Sequence, residues 1–168
     1  MMLEAQKKGF DKVIWIDSGC YALNNPESLF DILYKDDAIM QTYYCNNNYS
    51  AMVFQNTIEM LNSITKCNLH NATYIESVVF ELNMQSAHVK EFIKEYYDMV
   101  RQGYPFFSIF PEEIVFSALF QKEEYKNLIT RDYSIQKKLK IHETKMNEEQ
   151  AKSNGYYFHH KDYSKYKT

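Results

Sequence analysis

The sequence predicts an α/β fold. Three observations carry the prediction. Short apolar runs, Val13-Ile14-Trp15-Ile16 and Val78-Val79-Phe80 among them, have strand length rather than helix length. Between them lie stretches with apolar residues three and four apart, of which residues 86–101 are the most regular. Helix-start signals follow strand ends at Asn25-Pro26-Glu27 and at Pro111-Glu112-Glu113. Residues 13–16, 37–43 and 77–82 are therefore expected as strands of one sheet, with 86–101 a helix packed on it. At 168 residues the chain is one domain with room for a sizeable core, and 45% apolar residues exclude disorder over most of it. A net charge of −3 without a basic stripe argues against nucleic acid as the partner. Cys20, Cys45 and Cys67 are odd in number and widely spaced, as free thiols in a reducing compartment would be. Neither a signal peptide nor a transmembrane segment is visible, and the expected location is cytoplasmic.

Taken in order, residues 2–8 read as a short helix closed by Gly9. The run Lys12–Ile16 reads as a strand buried on both faces, ending on Asp17, with Gly19 allowing a sharp turn. Asn25 is the expected N-cap of a helix carrying Leu29, Phe30, Ile32 and Leu33 inward. After the strand at 37–43, Asn46-Asn47-Asn48 reads as a turn, 51–54 as a short strand, and 56–66 as a helix facing inward through Ile58, Leu61 and Ile64. Residues 67–73 read as loop. On the helix at 86–101, Val89, Phe92, Ile93, Tyr96, Met99 and Val100 form one stripe, and Gly103 ends it. The apolar run Phe106–Phe110 precedes a helix with Ile114, Val115, Ala118 and Leu119 inward. Asn127–Ile135 reads as a strand, Lys137–Gln150 as charged and irregular, and 162–168 as a polar tail.

Three groups of residues can carry chemistry. Asp17 sits where a strand leaves the sheet, the place where open α/β sheets gather ligands, although an aspartate there also serves as a plain turn residue. Glu112 and Glu113 are carboxylates at a helix start; they complement the helix dipole and can equally act on a proton. His159, His160 and Lys161 combine imidazole and ammonium near the end of the chain, where they also fit an exposed strand. On such a strand the two histidines face opposite ways, so at most one of them serves a given site.

The stretch Gly9-Phe10-Asp11-Lys12-Val13-Ile14-Trp15-Ile16-Asp17-Ser18-Gly19 resembles the aspartate strand of GT-A glycosyltransferases, in which a hydrophobic strand ends in Asp-x-Asp or a variant. Here the variant is Asp-x-Gly. The resemblance implies a GT-A-like layered αβα sheet over residues 1–161 that lacks the N-terminal nucleotide-binding strands. It implies transfer of a sugar from a nucleotide-diphosphate donor to a hydroxyl on a glycan or protein acceptor. By the same resemblance, Asp17, Gly19 and Lys161 would meet the donor and its phosphates. Asp17 with His159 or His160 would hold a divalent metal, Mn²⁺ or Mg²⁺, and Glu112 or Glu113 would be catalytic. Phe110-Pro111-Glu112-Glu113 is similar to the family's acidic element that reaches donor sugar and acceptor. The absent strands make a fragment, or a chain completed by an N-terminal half or a protein partner, the expectation, with weak donor binding by residues 1–168 alone. The alternative is a non-catalytic remnant that binds sugar or a partner. A metal-dependent phosphatase or hydrolase needs further acids near the strand end, which are not found. If the transferase reading is right, Asp17, Glu112 or Glu113, and His159 or His160 should open onto one cleft.

Overall fold

The apolar run at Val13 does form a strand in the computed structural model, which describes residues 1–33, 36–44, 55–71, 73–103, 111–130 and 132–161. The elements in order are α1 (Met2–Lys7), β1 (Lys12–Ile16), β2 (Cys20–Ala22), α2 (Glu27–Ile32), β3 (Ala38–Tyr44), α3 (Gln55–Thr65), a single 3-10 turn (Leu69–Asn71), β4 (Thr73–Asn83), α4 (Ala87–Arg101), α5 (Pro111–Leu119), α6 (Tyr133–Leu139), β5 (Lys140–His142), α7 (Glu148–Ser153) and β6 (Phe158–His160). The chain is thus mixed α/β. The expected strand at 51–54, the Asn46–Asn48 turn, the run 106–110 and the tail 162–168 lie outside the described residues.

The main sheet has the order β1-β4-β3, and both pairings are antiparallel. All three expected strands belong to it. Its helices lie on both faces. On one face Phe80, Leu82, Met40 and Ala38 pack with Ile58 and Leu61 of α3, Val89, Phe92 and Ile93 of α4, and Ile114, Val115 and Phe116 of α5. On the other face Ile39 and Val79 pack with Leu29 and Leu33 around α2, Leu139 of α6 and Phe158 of β6. α4 forms because its stripe is unbroken and because the Ser86 hydroxyl accepts from the Val89 N–H at 3.3 Å, satisfying one helix-start donor. Rings stacked edge to face, Phe80 on Phe116 at 5.3 Å and Tyr96 on Phe116 at 4.9 Å, tie α4 and α5 to the sheet.

Four expectations need correction. β1 is an edge strand and only half buried, because β4 pairs with one of its edges and Ile16 remains 40% exposed. On α3, Ile64 points outward and the buried residues are Thr57, Ile58, Leu61 and Thr65. Among the described residues of 127–135 there is no strand: Ile129 makes an isolated bridge to Ala38, and the Asp132 carboxylate accepts from the Ser134 and Ile135 N–H groups, starting α6. Residues 137–150 are not irregular, since they hold the end of α6, β5 and the start of α7. β5 joins β6 and β2 in a second sheet, order β2-β6-β5, with β6 parallel to β5 and antiparallel to β2. That sheet carries His160 to the mouth of β1.

Candidate functional site

At the end of β1 the Asp17 N–H donates to the Val78 carbonyl at 2.9 Å, and the Cys20 N–H donates to the Asp17 carbonyl at 2.9 Å. These two bonds close the turn that sends the chain into β2 and leave the Asp17 side chain exposed. Beside it β4 is irregular. Met40 pairs with Phe80 but Gln41 pairs with Glu76, so Ser77, Val78 and Val79 bulge out of the β3–β4 ladder. The bulge frees the Ser77 N–H, which donates to Glu113 Oε1 at 3.3 Å. Glu113 is only 6% exposed, and its other oxygen, Oε2, is buried without a hydrogen-bond partner. Burial pushes the Glu113 carboxyl above the usual carboxylate range, against the smaller opposing pull of the Ser77 N–H and the Lys140 charge. Glu112 is exposed on the same helix start. Burial and the Glu112 charge push the Tyr96 phenol up to about 12.

Asp17, Glu112, Glu113 and His160 line one cavity of about 500 Å³, together with Trp15, Ser77, Val78, Phe80, Tyr96, Phe116 and the first two methionines. That volume lies in the range of small-molecule sites. The four chemistry-bearing residues come from β1, α5 and β6, so the fold gathers groups that are distant in sequence.

His160 and Gly19 are fitted to each other. A Cβ built on Gly19 would stand 2.9 Å from both Cδ2 and Nε2 of His160. The imidazole therefore occupies the space that any larger residue in the third motif position would need. The edge of the His142 ring meets it at 4.9 Å. Burial, then the charges of Lys140 and His142, hold His160 below the ordinary histidine range, so its neutral form dominates at neutral pH. Substituting Gly19 by alanine is expected to turn the His160 ring out of its seat and to cost about 1–3 kcal/mol, the range for overpacking a closed contact. Ring resonances of His160 and the urea midpoint report the two effects; an unmoved ring would refute the seating.

His159 faces the other way. Its Nδ1 lies 2.9 Å from the Tyr21 hydroxyl, and its Nε2 donates to the Met146 carbonyl at 3.0 Å. Both ring nitrogens are thus engaged in the second sheet and away from the cavity. The Lys161 ammonium lies over the Tyr21 ring, 5.3 Å from its centroid, and Lys161 is not among the residues that line the cavity. A buried cation that the sequence reading does not single out also acts on the site. Lys140 of β5 is buried and ion-paired with Glu76, and its charge acts on Glu113, His160 and Cys20. Its strand is three residues long, too short to leave a periodic signal. The thiol of Cys20, pushed up to about 12 mainly by burial, is a structural group rather than a nucleophile.

Among the described residues no three His, Cys, Asp or Glu side chains come together as a metal-holding group. The cavity itself offers a carboxylate, Asp17, and a neutral imidazole, His160, a pair that suits a borderline divalent ion when further oxygen ligands arrive with a substrate. Comparison with protein-family models, with curated proteins and with solved structures gives no match. Chemically, the cavity combines a buried carboxyl able to take up a proton, an exposed carboxylate pair and an aromatic wall. Groups of these kinds can contact a small polar molecule and exchange a proton with it.

Proposed function

We propose that the chain is a GT-A-like domain that transfers a sugar from a nucleotide-diphosphate donor to a hydroxyl acceptor. The observation that carries this reading is the convergence of Asp17, Glu112, Glu113 and His160 on one cavity at the mouth of β1. In it, Asp17 and His160 face the donor side, and a divalent metal, Mn²⁺ or Mg²⁺, would be held by them together with diphosphate oxygens. Such an ion would supply Lewis-acid stabilisation of the departing diphosphate. Glu113, which lines the cavity, accepts the proton of the attacking acceptor hydroxyl, while the Ser77 N–H fixes its Oε1 and thereby the orientation of the carboxyl. Gly19 gives His160 its seat. Lys161, over Tyr21, stands beside the site rather than in it, so a contact with the donor phosphates would need its side chain to leave that ring.

A non-catalytic sugar- or partner-binding module is the second reading, and the unpaired outer edge of β1 among the described residues favours it. A panel of nucleotide sugars, assayed for nucleoside diphosphate release with and without Mn²⁺, separates the two. Release stimulated by an acceptor supports transfer. Binding without release, unchanged by Glu113→Gln, supports the module.

A further inference from the structure

Lys140 makes two contacts at the foot of the β4 bulge. Its carbonyl accepts from Gln41 Nε2 at 2.9 Å, and the same nitrogen donates to the Gln136 carbonyl at 3.1 Å. Its ammonium is ion-paired with the Glu76 carboxylate. Gln41 and Glu76 are partners across β3 and β4, at the register where pairing resumes beside the bulge. Lys140 therefore grips both strands at one rung, β3 through a side-chain amide and β4 through a carboxylate. The residue after Glu76 is Ser77, the first of the bulge, whose N–H holds Glu113 Oε1 at 3.3 Å. A bulge is left unpaired by its ladder, so its position is set at its ends and from outside the sheet. Lys140 is 6% exposed. A buried ion pair is a weak source of net stability, because both charges must leave water. Its place at this rung gives it a different use.

We propose that Lys140 is a positioning residue for Glu113: through Glu76 it pins the first residue of the bulge, and with it the Ser77 N–H that orients the carboxyl. The proposal rests on the glycosyl-transfer reading for the role of Glu113, but the link from Lys140 to Ser77 involves no substrate. The charged and titratable groups about Glu113 are Glu76 of β4, Lys140 of β5, Asp17 of β1, His160 of β6, Tyr96 of α4 and, on its own helix, Glu112. Burial holds the Glu113 carboxyl above the usual range, and the Ser77 N–H and the Lys140 charge pull it back. Loss of Lys140 weakens both pulls, the second directly and the first by releasing the bulge.

The test compares the full chain with Lys140→Met and with the double variant Lys140→Met, Glu76→Gln. The double variant leaves no buried carboxylate without its cation, and it carries the test where the single one does not fold. Amide exchange at Ser77 is read against that of Ile75, on the same strand, whose N–H donates to the Ser117 hydroxyl at 2.9 Å. In both variants Ser77 is expected to exchange about tenfold or more faster relative to Ile75, as loss of one hydrogen bond to a carboxyl allows. A general loss of stability would speed the two amides together. In Lys140→Met the Glu113 carboxyl, followed by its carbon resonance, is expected to titrate higher than in the wild type. An unchanged ratio of Ser77 to Ile75 exchange in the variants that fold, or a Glu113 titration that stays in place, would overturn the proposal. Nucleoside diphosphate release is followed against pH in parallel. A rising limb displaced upward in the variant supports the proposal, and an unmoved limb refutes it while leaving transfer standing. No release from any of the proteins, with Ser77 selectively opened in the variants, refutes transfer and leaves the link from Lys140 to Glu113 standing.

Discussion

Glu113→Gln is expected to lower acceptor-dependent turnover by about 10²–10⁴-fold, the usual contribution of a positioned general base. The substitution keeps the shape of the side chain, and its amide oxygen can still accept from the Ser77 N–H. What it removes is the group that takes up a proton. The wild-type rate should rise with pH along a limb displaced above the usual carboxylate range, because burial raises Glu113 and only its ionised form is a base. The variant should lack that limb. Lost stability would not explain the loss of rate. A carboxyl raised on folding contributes stability that is fully present below its unfolded pKa and is lost as pH rises through its folded one, so glutamine should gain relative to the wild type at alkaline pH. The measurement is turnover against pH with thermal unfolding of both proteins alongside. A variant that keeps its turnover would remove Glu113 from the mechanism.

Glu81→Met is expected to stabilise the fold, and the gain should grow with pH. Glu81 lies on β4 opposite Ile14 of β1 and Ile39 of β3, and it is fully buried, with no hydrogen-bond partner for either carboxyl oxygen. Burial alone pushes its carboxyl up to about 8 from an ordinary value of 4.5. Below the ordinary value both folded and unfolded states hold the proton and nothing is lost. As pH rises towards 8 the unfolded chain releases its proton and the folded chain does not, so stability falls throughout that window and levels off above it. The full loss is on the order of 5 kcal/mol, taken from the displacement at 1.36 kcal/mol per pKa unit. Methionine fills a similar volume without a charge, and replacing a buried charge by a well-packed apolar residue typically returns ~1–4 kcal/mol. Urea unfolding of both proteins on either side of the window tests this. Equal gains at both pH values would mean that packing, not ionisation, governs the site.

Much of the main sheet was legible because its signals are local. The runs at 13–16 and 77–82 have strand length, and the stripe from Val89 to Met99 has helical spacing. The edge position of β1 was not legible, since pairing partners depend on the whole topology and an apolar run looks alike at an edge and in the middle. β5 and β6, three residues each, are held by cross-strand bonds from distant segments and leave no period to read. For the same reason the sequence carries no signal for Lys140, a buried cation whose charge acts on Glu113. That Asp17 and the glutamates open onto one cavity is foreshadowed by their places at a strand end and a helix start. Which histidine would join them depended on β6 facing the cavity with His160, a choice that alternation along a strand narrows to one of two but does not make.

The second sheet also sets an order of events. β2 lies near the beginning of the chain and β6 near its end, and Cys20 pairs with His160. Contacts this remote in sequence close a long loop and tend to form late. They rest on two three-residue strands, so they are also the first to open. The His160 wall of the cavity is therefore expected to assemble late and to open first under mild denaturant, while β1, β3 and β4 hold. In native-state hydrogen exchange, the Lys161 N–H bonded to Gly19 and the Leu23 N–H bonded to Tyr157 should exchange well ahead of the β4 amides. Exchange at a common rate would mean instead that site and scaffold unfold as one unit.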